Sequence, residues 1–284
     1  YILHTYGRVD ASLVKGRNAR AWDTEGKEYI DFTSGIGVNA LGYSDPAWAS
    51  AVAAQAAEIQ HLCNYYYSPQ NTSLAEELCK ASGMAKAFFC NSGAEANECA
   101  VKVARKYGEK RGAYQIVTLN NSFHGRTLTT LAATGQAAFH QDFLPLTEGF
   151  VYAEGNDLSS VEALLDGTVC AVLIETVQGE GGVVPMEEAF VQGLRKLCTE
   201  QDVLLMIDEV QTGVGRTGSF YSYQGYGVEP DVATTAKGLA GGLPIGACLV
   251  NEKLKDILQP GMQGSTFGGN PVAVSYTHLR AHET

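Results

Sequence analysis

Basic side chains are scarce in this sequence of 284 residues, with 20 Lys and Arg against 31 Asp and Glu and a net charge of −11. Nucleic acids and anionic membranes attract clusters of Lys and Arg, so this balance argues against either as the main partner. The chain also lacks any apolar run near the roughly 20 residues that a membrane helix needs. Its N-terminus lacks the charged and then apolar layout of a signal peptide. These absences favour an enzyme that acts on small molecules.

The seven cysteines include no C-x-x-C pair, and their number is odd. Neither a zinc site nor a disulfide framework is indicated by this pattern. We therefore expect most of the cysteines to be small hydrophobic core residues, in a protein of the reducing cytoplasm. No internal repeat or low-complexity segment is evident.

Apolar strand segments alternate with amphipathic helical segments through most of the chain. Continuous apolar strands of this kind are typical of a parallel sheet covered by helices on both faces. We predict strands at 87–90, 115–119, 169–174, 203–207, 232–236 and 245–250, and helices at 46–59, 94–107, 159–165, 188–200 and 252–258. The predicted fold class is therefore α/β.

The two ends of the chain differ from this alternating pattern. Residues 1–45 read as short strands and turns, with a hairpin near Gly26, and are predicted to form a small N-terminal subdomain. Residues 46–273 are predicted to form the large domain. Residues 274–284 have neither core periodicity nor a helix stop signal, so we expect a non-native tail there.

Two side chains at predicted strand ends carry the main chemical hypothesis. Asp208 ends one apolar segment, and Lys237 follows another on a glycine-rich loop. A lysine amine can form a Schiff base with an aldehyde cofactor, while a buried carboxylate can hold a pyridine nitrogen protonated. Alone, a lysine after a strand is usually a solvated surface residue, but several strand ends converge on one site in an open α/β sheet. The pair indicates pyridoxal phosphate.

A helix that begins after the strand at 87–90 offers a place for the phosphate. Ser92 and Glu95 match the S-x-x-E capping box of a helix N-terminus. Gly93 and Ala94 present little side chain there, so the backbone can approach an anion that the helix dipole favours. The alternative is an ordinary capped helix.

The segment 123–126, Phe-His-Gly-Arg, adds a flat ring and a cation. Phe123 could stack on a pyridine ring, and Arg126 could grip a carboxylate with two parallel hydrogen bonds. Gln211 could hydrogen-bond the phenolic oxygen of the cofactor. The alternatives are a core phenylalanine, a surface arginine and a loop histidine.

Residues 213–218 match the pattern G-x-G-x-x-G, so a dinucleotide-binding oxidoreductase is an alternative hypothesis. That fingerprint should open a helix, but an aromatic-rich segment follows it here. In addition, Asp231 precedes a predicted strand, whereas the ribose-binding acid of the fingerprint ends one. We therefore do not favour this hypothesis.

Taken in order, the motifs resemble those of the class III, fold type I, pyridoxal-phosphate aminotransferases over residues 1–273. The motifs that carry the resemblance lie at 5–8, 39–42, 91–98, 123–126, 175–181, 208–213, 237–239 and 264–271. The family fold is a mostly parallel, seven-stranded sheet sandwiched by helices. The likeness is strongest to members that transfer the terminal amine of N-acetylornithine to 2-oxoglutarate in arginine biosynthesis. Members acting on ornithine, succinylornithine or 4-aminobutyrate share nearly all the motifs, and a decarboxylase or aminomutase would use the same lysine and aspartate.

The resemblance also implies roles for the cofactor-site residues. Lys237 would be the Schiff-base lysine and proton shuttle, Asp208 the partner of the ring nitrogen, and Gln211 the contact to the phenolic oxygen. The implied contacts to the phosphate and to the face of the ring are Ser92, Gly93, Ala94 and Phe123.

The remaining implied roles concern the substrate and a second subunit. Arg126 would bind the substrate α-carboxylate, and Ser265 would lie near the substrate. Glu180 would mask a second arginine until the dicarboxylate arrives. Thr266 would reach the phosphate of the neighbouring subunit, which implies a homodimer. The second arginine belongs to a C-terminal small domain that we expect to be missing here, so an inactive fragment remains an alternative.

Overall fold

The structure, a computed structural model, describes residues 1–281, with side chains through Tyr276. Its centre is a mostly parallel, seven-stranded sheet with helices on both faces, which confirms the predicted α/β class. The strands are β1 (Leu13–Arg17), β2 (Arg20–Asp23), β3 (Glu28–Ile30), β4 (Lys86–Cys90), β5 (Gln115–Leu119), β6 (Phe150–Ala153), β7 (Val169–Ile174), β8 (Val177–Gln178), β9 (Val184–Pro185), β10 (Leu204–Asp208), β11 (Val232–Thr235) and β12 (Gly246–Val250).

Helices connect most of these strands, and short 3-10 turns lie at several loops. The helices are α1 (Ser34–Gly37), α2 (Pro46–Glu58), α3 (Pro69–Ser82), α4 (Gly93–Gly108), α5 (Leu128–Ala133), α6 (Leu158–Glu162), α7 (Glu188–Glu200), α8 (Ser222–Gly225) and α9 (Pro271–Ala281). The 3-10 turns are Glu109–Arg111, Ala137–Phe139, Lys237–Ala240 and Glu252–Leu254. No helix among these is both long and apolar enough to cross a membrane.

The central sheet has the strand order β4-β12-β11-β10-β7-β5-β6. Strand β12 runs antiparallel to both of its neighbours, and the other four pairs of neighbouring strands are parallel. The carboxyl ends of the parallel strands therefore lie together at one edge of the sheet, across the strands. This edge contains the ends of β4, β5, β7, β10 and β11 and the beginning of β12. Ligands of open α/β sheets bind outside this edge.

Apolar side chains cover both faces of the sheet because its middle strands carry them at most positions. All residues of β7 and β10 are buried. On one face α4 packs through small residues, among them Ala96, Ala100 and Ala104 at intervals of four, which let the helix lie close to the strands. On the other face α7 buries a stripe of larger residues, including Leu194 and Leu197.

Several expected elements are confirmed, and others differ. The hairpin at Gly26 is present, with φ +83° at the turn glycine, and α2, α4 and α7 lie where their patterns predict. The helix predicted at 252–258 is wrong, because only the 3-10 turn Glu252–Leu254 forms before the chain turns at Pro260. The helix predicted at 159–165 ends at Glu162.

The ends of the chain are described in part. Residues 13–30 form a separate three-stranded antiparallel sheet, β1-β2-β3. The segment predicted as a non-native tail begins inside α9, where Val274 and Tyr276 are buried. Residues 282–284 of that segment lie outside the described residues.

Candidate active site

A cleft of about 430 Å³ opens at the edge of the sheet where the parallel strands end. This volume lies in the range that small-ligand sites occupy. Its lining includes the predicted site residues Ser92, Gly93, Ala94, Phe123, Arg126, Asp208, Gln211 and Lys237. The fold thus brings side chains and backbone from widely separated parts of the chain to one place.

The N-terminus of α4 faces this cleft. Ser92 is the N-cap, and its Oγ accepts a hydrogen bond from the Glu95 amide at 3.2 Å. In a capping box the Glu95 carboxylate would accept from the Ser92 amide, and this half of the prediction is wrong. The carboxylate accepts instead from the amide of the preceding residue, Asn91, at 2.6 Å. The first amides of a helix have no partner within the helix, so those of Gly93 and Ala94 can bind an anion.

Gly93 is required by close packing on its other side. A Cβ at this position would lie 2.6 Å from Cγ1 of Val210, much closer than such atoms approach in real proteins. Val210 itself lines the cleft beside Asp208. The absence of a side chain at Gly93 therefore lets the start of α4 and the end of β10 meet.

Asp208 is 4% exposed at the end of β10, and its carboxylate lies within hydrogen-bond distance of three groups. Its Oδ2 accepts from Asn97 Nδ2 at 2.7 Å and lies 2.8 Å from His124 Nδ1, and its Oδ1 accepts from the Val210 amide at 3.0 Å. These three contacts define the direction of both carboxylate oxygens. A carboxylate has about four acceptor positions, so one remains for a cationic donor in the cleft.

Lys237 follows β11 and begins a 3-10 turn with φ +45°, a value uncommon outside glycine. Such backbone strain costs on the order of 1–3 kcal/mol and clusters at functional sites. Burial lowers the pKa of the Lys237 amine, while the negative charges of Asp208 and Glu180 act in the opposite direction. A lowered pKa increases the fraction of neutral amine, which is the nucleophilic form.

Glu175 lies just beyond the end of β7 and is 5% exposed in the wall of the cleft. Burial raises its pKa from 4.5 to about 7, with the neighbouring His124 opposing and Asp208 adding to the shift. Its carboxyl accepts a hydrogen bond from the Phe123 amide at 2.9 Å and a longer one from Gly179. It therefore holds in place the loop that carries the predicted stacking ring.

Arg126 contacts two aromatic rings. Its Cζ lies 4.0 Å from the centre of the Phe139 ring and 5.5 Å from that of Phe123. The two rings meet edge to face, with their centres 6.1 Å apart. Cation–π contacts of this kind orient the guanidinium at the mouth of the cleft.

Three predicted residues do not line the cleft. Glu180 is exposed in the turn between β8 and β9, although its charge reaches Lys237. Ser265 Oγ accepts hydrogen bonds from Asn91 Nδ2 at 3.1 Å and from the Gly268 amide at 2.9 Å. Thr266 beside it is exposed.

The aminotransferase class-III family profile matches residues 1–280. The chain belongs to the class III aminotransferases. It is 50% identical over 279 residues to an acetylornithine aminotransferase of Haemophilus ducreyi, a match covering 96% of this chain and 70% of that one. It is 52% identical over 265 residues to a succinylornithine transaminase of Salmonella typhimurium, covering 92% and 65% respectively.

A solved structure supports the fold of this class III aminotransferase chain. The ornithine aminotransferase of Toxoplasma gondii, crystallized in the presence of oxidized glutathione, has a TM-score of 0.93 and 32% identity and covers all of this chain. That structure shows partial occupancy of PLP at its active site. This chain spans 69% of the length of the Toxoplasma gondii chain, which is similar to the 70% and 65% that it spans of the two curated relatives.

Family membership removes the dinucleotide hypothesis, and the local geometry agrees. Residues 213–218 form turns after β10, and no helix begins directly after them. Asp231 has a structural role, because its carboxylate accepts from the Leu205 amide and from Arg195, both at 2.9 Å.

Sequence reasoning missed some residues of the site. Asn97 received no role, although it bonds Asp208 directly. Its only signal was a polar residue on a helix face that is otherwise rich in Ala and Val. Val210 and Phe139 were also missed, because their contacts depend on how separate loops come together.

Proposed function

We propose that this chain binds pyridoxal phosphate and forms the catalytic centre of an aminotransferase that acts on acylated ornithine. The observation that carries the proposal is the meeting of Lys237, Asp208 and the N-terminus of α4 in one cleft. The three features suit an aldehyde, a pyridine nitrogen and a phosphate, respectively. Phe123, in the same lining, provides a flat surface for the ring.

Pyridoxal phosphate, when bound, supplies an aldehyde that condenses with amines and a ring that withdraws electrons. Asp208, already ordered by three donors, would hold the proton on the ring nitrogen with its remaining acceptor position. Lys237 Nζ would accept and return the proton of the substrate carbon, which its lowered pKa favours. Gln211 would donate to the phenolic oxygen, and the amides of Gly93 and Ala94 with Ser92 would bind the phosphate.

The amino donor that we propose is N-acetylornithine, with 2-oxoglutarate as acceptor. The two curated relatives act, by their names, on ornithine carrying an acetyl or a succinyl group, and each is at least 50% identical to this chain. Arg126, which contacts two aromatic rings, would bind the α-carboxylate of the donor. Succinylornithine is the second candidate, because its relative is 52% identical.

We also propose that the whole enzyme is a cytoplasmic homodimer. Tyr65, Tyr66 and Tyr67 are exposed, and large apolar patches of this kind mark contact surfaces. Asn64 joins this segment to the loop of Thr266, since its Nδ2 donates to the carbonyls of Ser265 and Gly268 at 3.0 and 3.1 Å. Thr266 would then reach the phosphate of the second subunit, while Glu180 would act as the gate for the dicarboxylate. Seven free cysteines support a reducing compartment.

The first experiment is an absorbance spectrum of the purified protein with pyridoxal phosphate, followed by borohydride trapping and peptide mass analysis. We expect a cofactor band that disappears in Lys237→Ala and covalent label on the peptide that carries Lys237. Lys255→Ala is the matched control, because Lys255 is an exposed lysine that pairs with Glu252. Bleaching by N-acetylornithine or by N-succinylornithine, compared with ornithine and 4-aminobutyrate, ranks the donors. A band and label that survive in Lys237→Ala would contradict the proposal.

A further inference from the structure

Asn97 is a buried amide on α4 that links three elements around the cleft. It is 1% exposed, and its Nδ2 donates to Asp208 Oδ2 at 2.7 Å and to the His124 carbonyl at 2.8 Å. Its Oδ1 accepts from Thr234 Oγ1 at 2.7 Å. One side chain therefore joins α4 to the end of β10, to β11 and to the loop that carries Phe123.

These partners determine the orientation of the amide. The Asp208 carboxylate and the His124 carbonyl can only accept hydrogen bonds here, so Nδ2 must face them. The Thr234 hydroxyl then donates to Oδ1. The opposite orientation would place the Asn97 oxygen against two acceptors, and the buried groups would lose their partners.

Asn97 also relates Asp208 to Lys237 in space. Thr234 is the partner of Asp208 in the pairing of β10 with β11, and Lys237 lies three residues after Thr234. Rotation of the Asp208 carboxylate would break the bond from Asn97 and the contact with His124 together. The oxygen that remains available to a ligand thus has a defined direction relative to the lysine.

We propose that Asn97 is a positioning residue that holds the Asp208 carboxylate in the correct orientation for the ring nitrogen of the cofactor. This inference rests on the proposed binding of pyridoxal phosphate. A hydrogen bond to a charged group of this kind corresponds to about a ten- to hundred-fold change in affinity. We therefore expect Asn97→Leu to raise the Kd of pyridoxal phosphate by about that factor.

A spectroscopic readout separates this role from general support of the fold. A less firmly held Asp208 retains the positive charge on the ring nitrogen less well. The pH at which the Lys237-dependent band changes should therefore move upward in Asn97→Leu, because that positive charge no longer helps to release the proton near Lys237 Nζ.

Asn97→Asp is a second variant of the same shape as the natural side chain. An aspartate can donate to Asp208 only when it is protonated, and it then has one donor where the amide has two. The ratio of its Kd to the wild-type Kd at the same pH should therefore fall in acid, without reaching one, and rise as the pH increases. The ionisable groups around this position are Asp208 on β10, His124, Glu175 beyond β7 and Lys237, and all are retained in the variant. This acid rescue is not expected of a residue that only fills space.

Thr234→Val is the matched control, because it removes a buried hydrogen bond of Asn97 but leaves both donors to Asp208 Oδ2. It should lower the thermal midpoint as Asn97→Leu does while changing the cofactor Kd by less than about three-fold. The inference would be overturned if both Asn97 variants folded and kept the wild-type Kd and the wild-type absorbance band. It would also be overturned if Thr234→Val shifted the Kd and the band as much as Asn97→Leu does. A wild-type protein without a Lys237-dependent band would overturn the proposed function and this inference with it.

Discussion

The substitution Glu175→Gln tests how much stability the protein loses when the buried Glu175 carboxyl becomes negatively charged. The carboxyl has a pKa of about 7 in the fold, against 4.5 for the free group, because burial outweighs the hydrogen bonds that it accepts. The difference, 7 − 4.5 or about 2.5 pH units, corresponds to about 3 kcal/mol at about 1.36 kcal/mol per unit. The cofactor-free wild-type protein should therefore lose about this much stability through Glu175 as it becomes charged.

The sign and the pH window follow from proton binding. Between pH 4.5 and about 7 the folded chain holds a proton on Glu175 that the unfolded chain has released. The free energy of unfolding therefore falls as the pH rises through this window. The stabilisation that depends on protonated Glu175 is fully lost above about pH 7. Glutamine resembles the protonated form, so Glu175→Gln should remove this fall and be relatively more stable at pH 8 than at pH 5.

Urea unfolding of the cofactor-free protein at pH 5 and pH 8 tests this expectation. The difference in unfolding free energy between the two pH values should be about 2.5 kcal/mol smaller in Glu175→Gln than in the wild type, because the carboxyl of the unfolded wild-type chain is already mostly ionised at pH 5. Glu180→Gln removes an exposed carboxylate from the same segment and should keep the wild-type dependence on pH. Equal loss of stability by Glu175→Gln at both pH values would refute the reasoning, since it would mean that Glu175 is charged in the fold.

Two further variants test contacts at the mouth and at the base of the cleft. Phe139→Leu removes the aromatic ring whose centre lies 4.0 Å from Arg126 Cζ. The KM for donors with an α-carboxylate should therefore rise about three-fold, while kcat is retained. An equal rise in KM for amines without a carboxylate would contradict this explanation. Gly93→Ala should weaken binding of pyridoxal phosphate because its Cβ would meet Val210 at 2.6 Å, and a second change, Val210→Ala, should restore it. Gly167→Ala, which meets nothing within 4 Å, is the control, and failure of the double variant to recover affinity would count against the steric explanation.

The cleft could be anticipated in part because its main residues follow apolar strands. Asp208 and Lys237 stand at strand ends that are visible as changes of composition, and parallel strands that end at one edge bring such residues together. Ser92 marks the beginning of α4 through local capping, which involves only neighbouring residues. Predictions of this kind need no knowledge of distant contacts.

The features that were missed depend on contacts between distant residues. Asn97 and Asp208 are 111 positions apart, and nothing near Asn97 in the chain announces its partner. The raised pKa of Glu175 results from burial by several loops. Strand β6 was overlooked because its four residues carry no alternation, and the reversed direction of β12 is not encoded in an apolar run.

The reversed strand β12 has a consequence for how the enzyme moves. Thr235 at the end of β11 faces Ala247 near the start of β12, so the segment carrying Lys237 leaves the sheet and returns to it at the same edge. Hydrogen bonding to neighbouring strands thus anchors both ends of this segment. The backbone of Lys237 is therefore fixed at both ends, and the proton transfer that we propose for this residue would depend on movement of its flexible side chain. In the proposed reaction the substrate would therefore have to come to Lys237, with no closure of this segment over it.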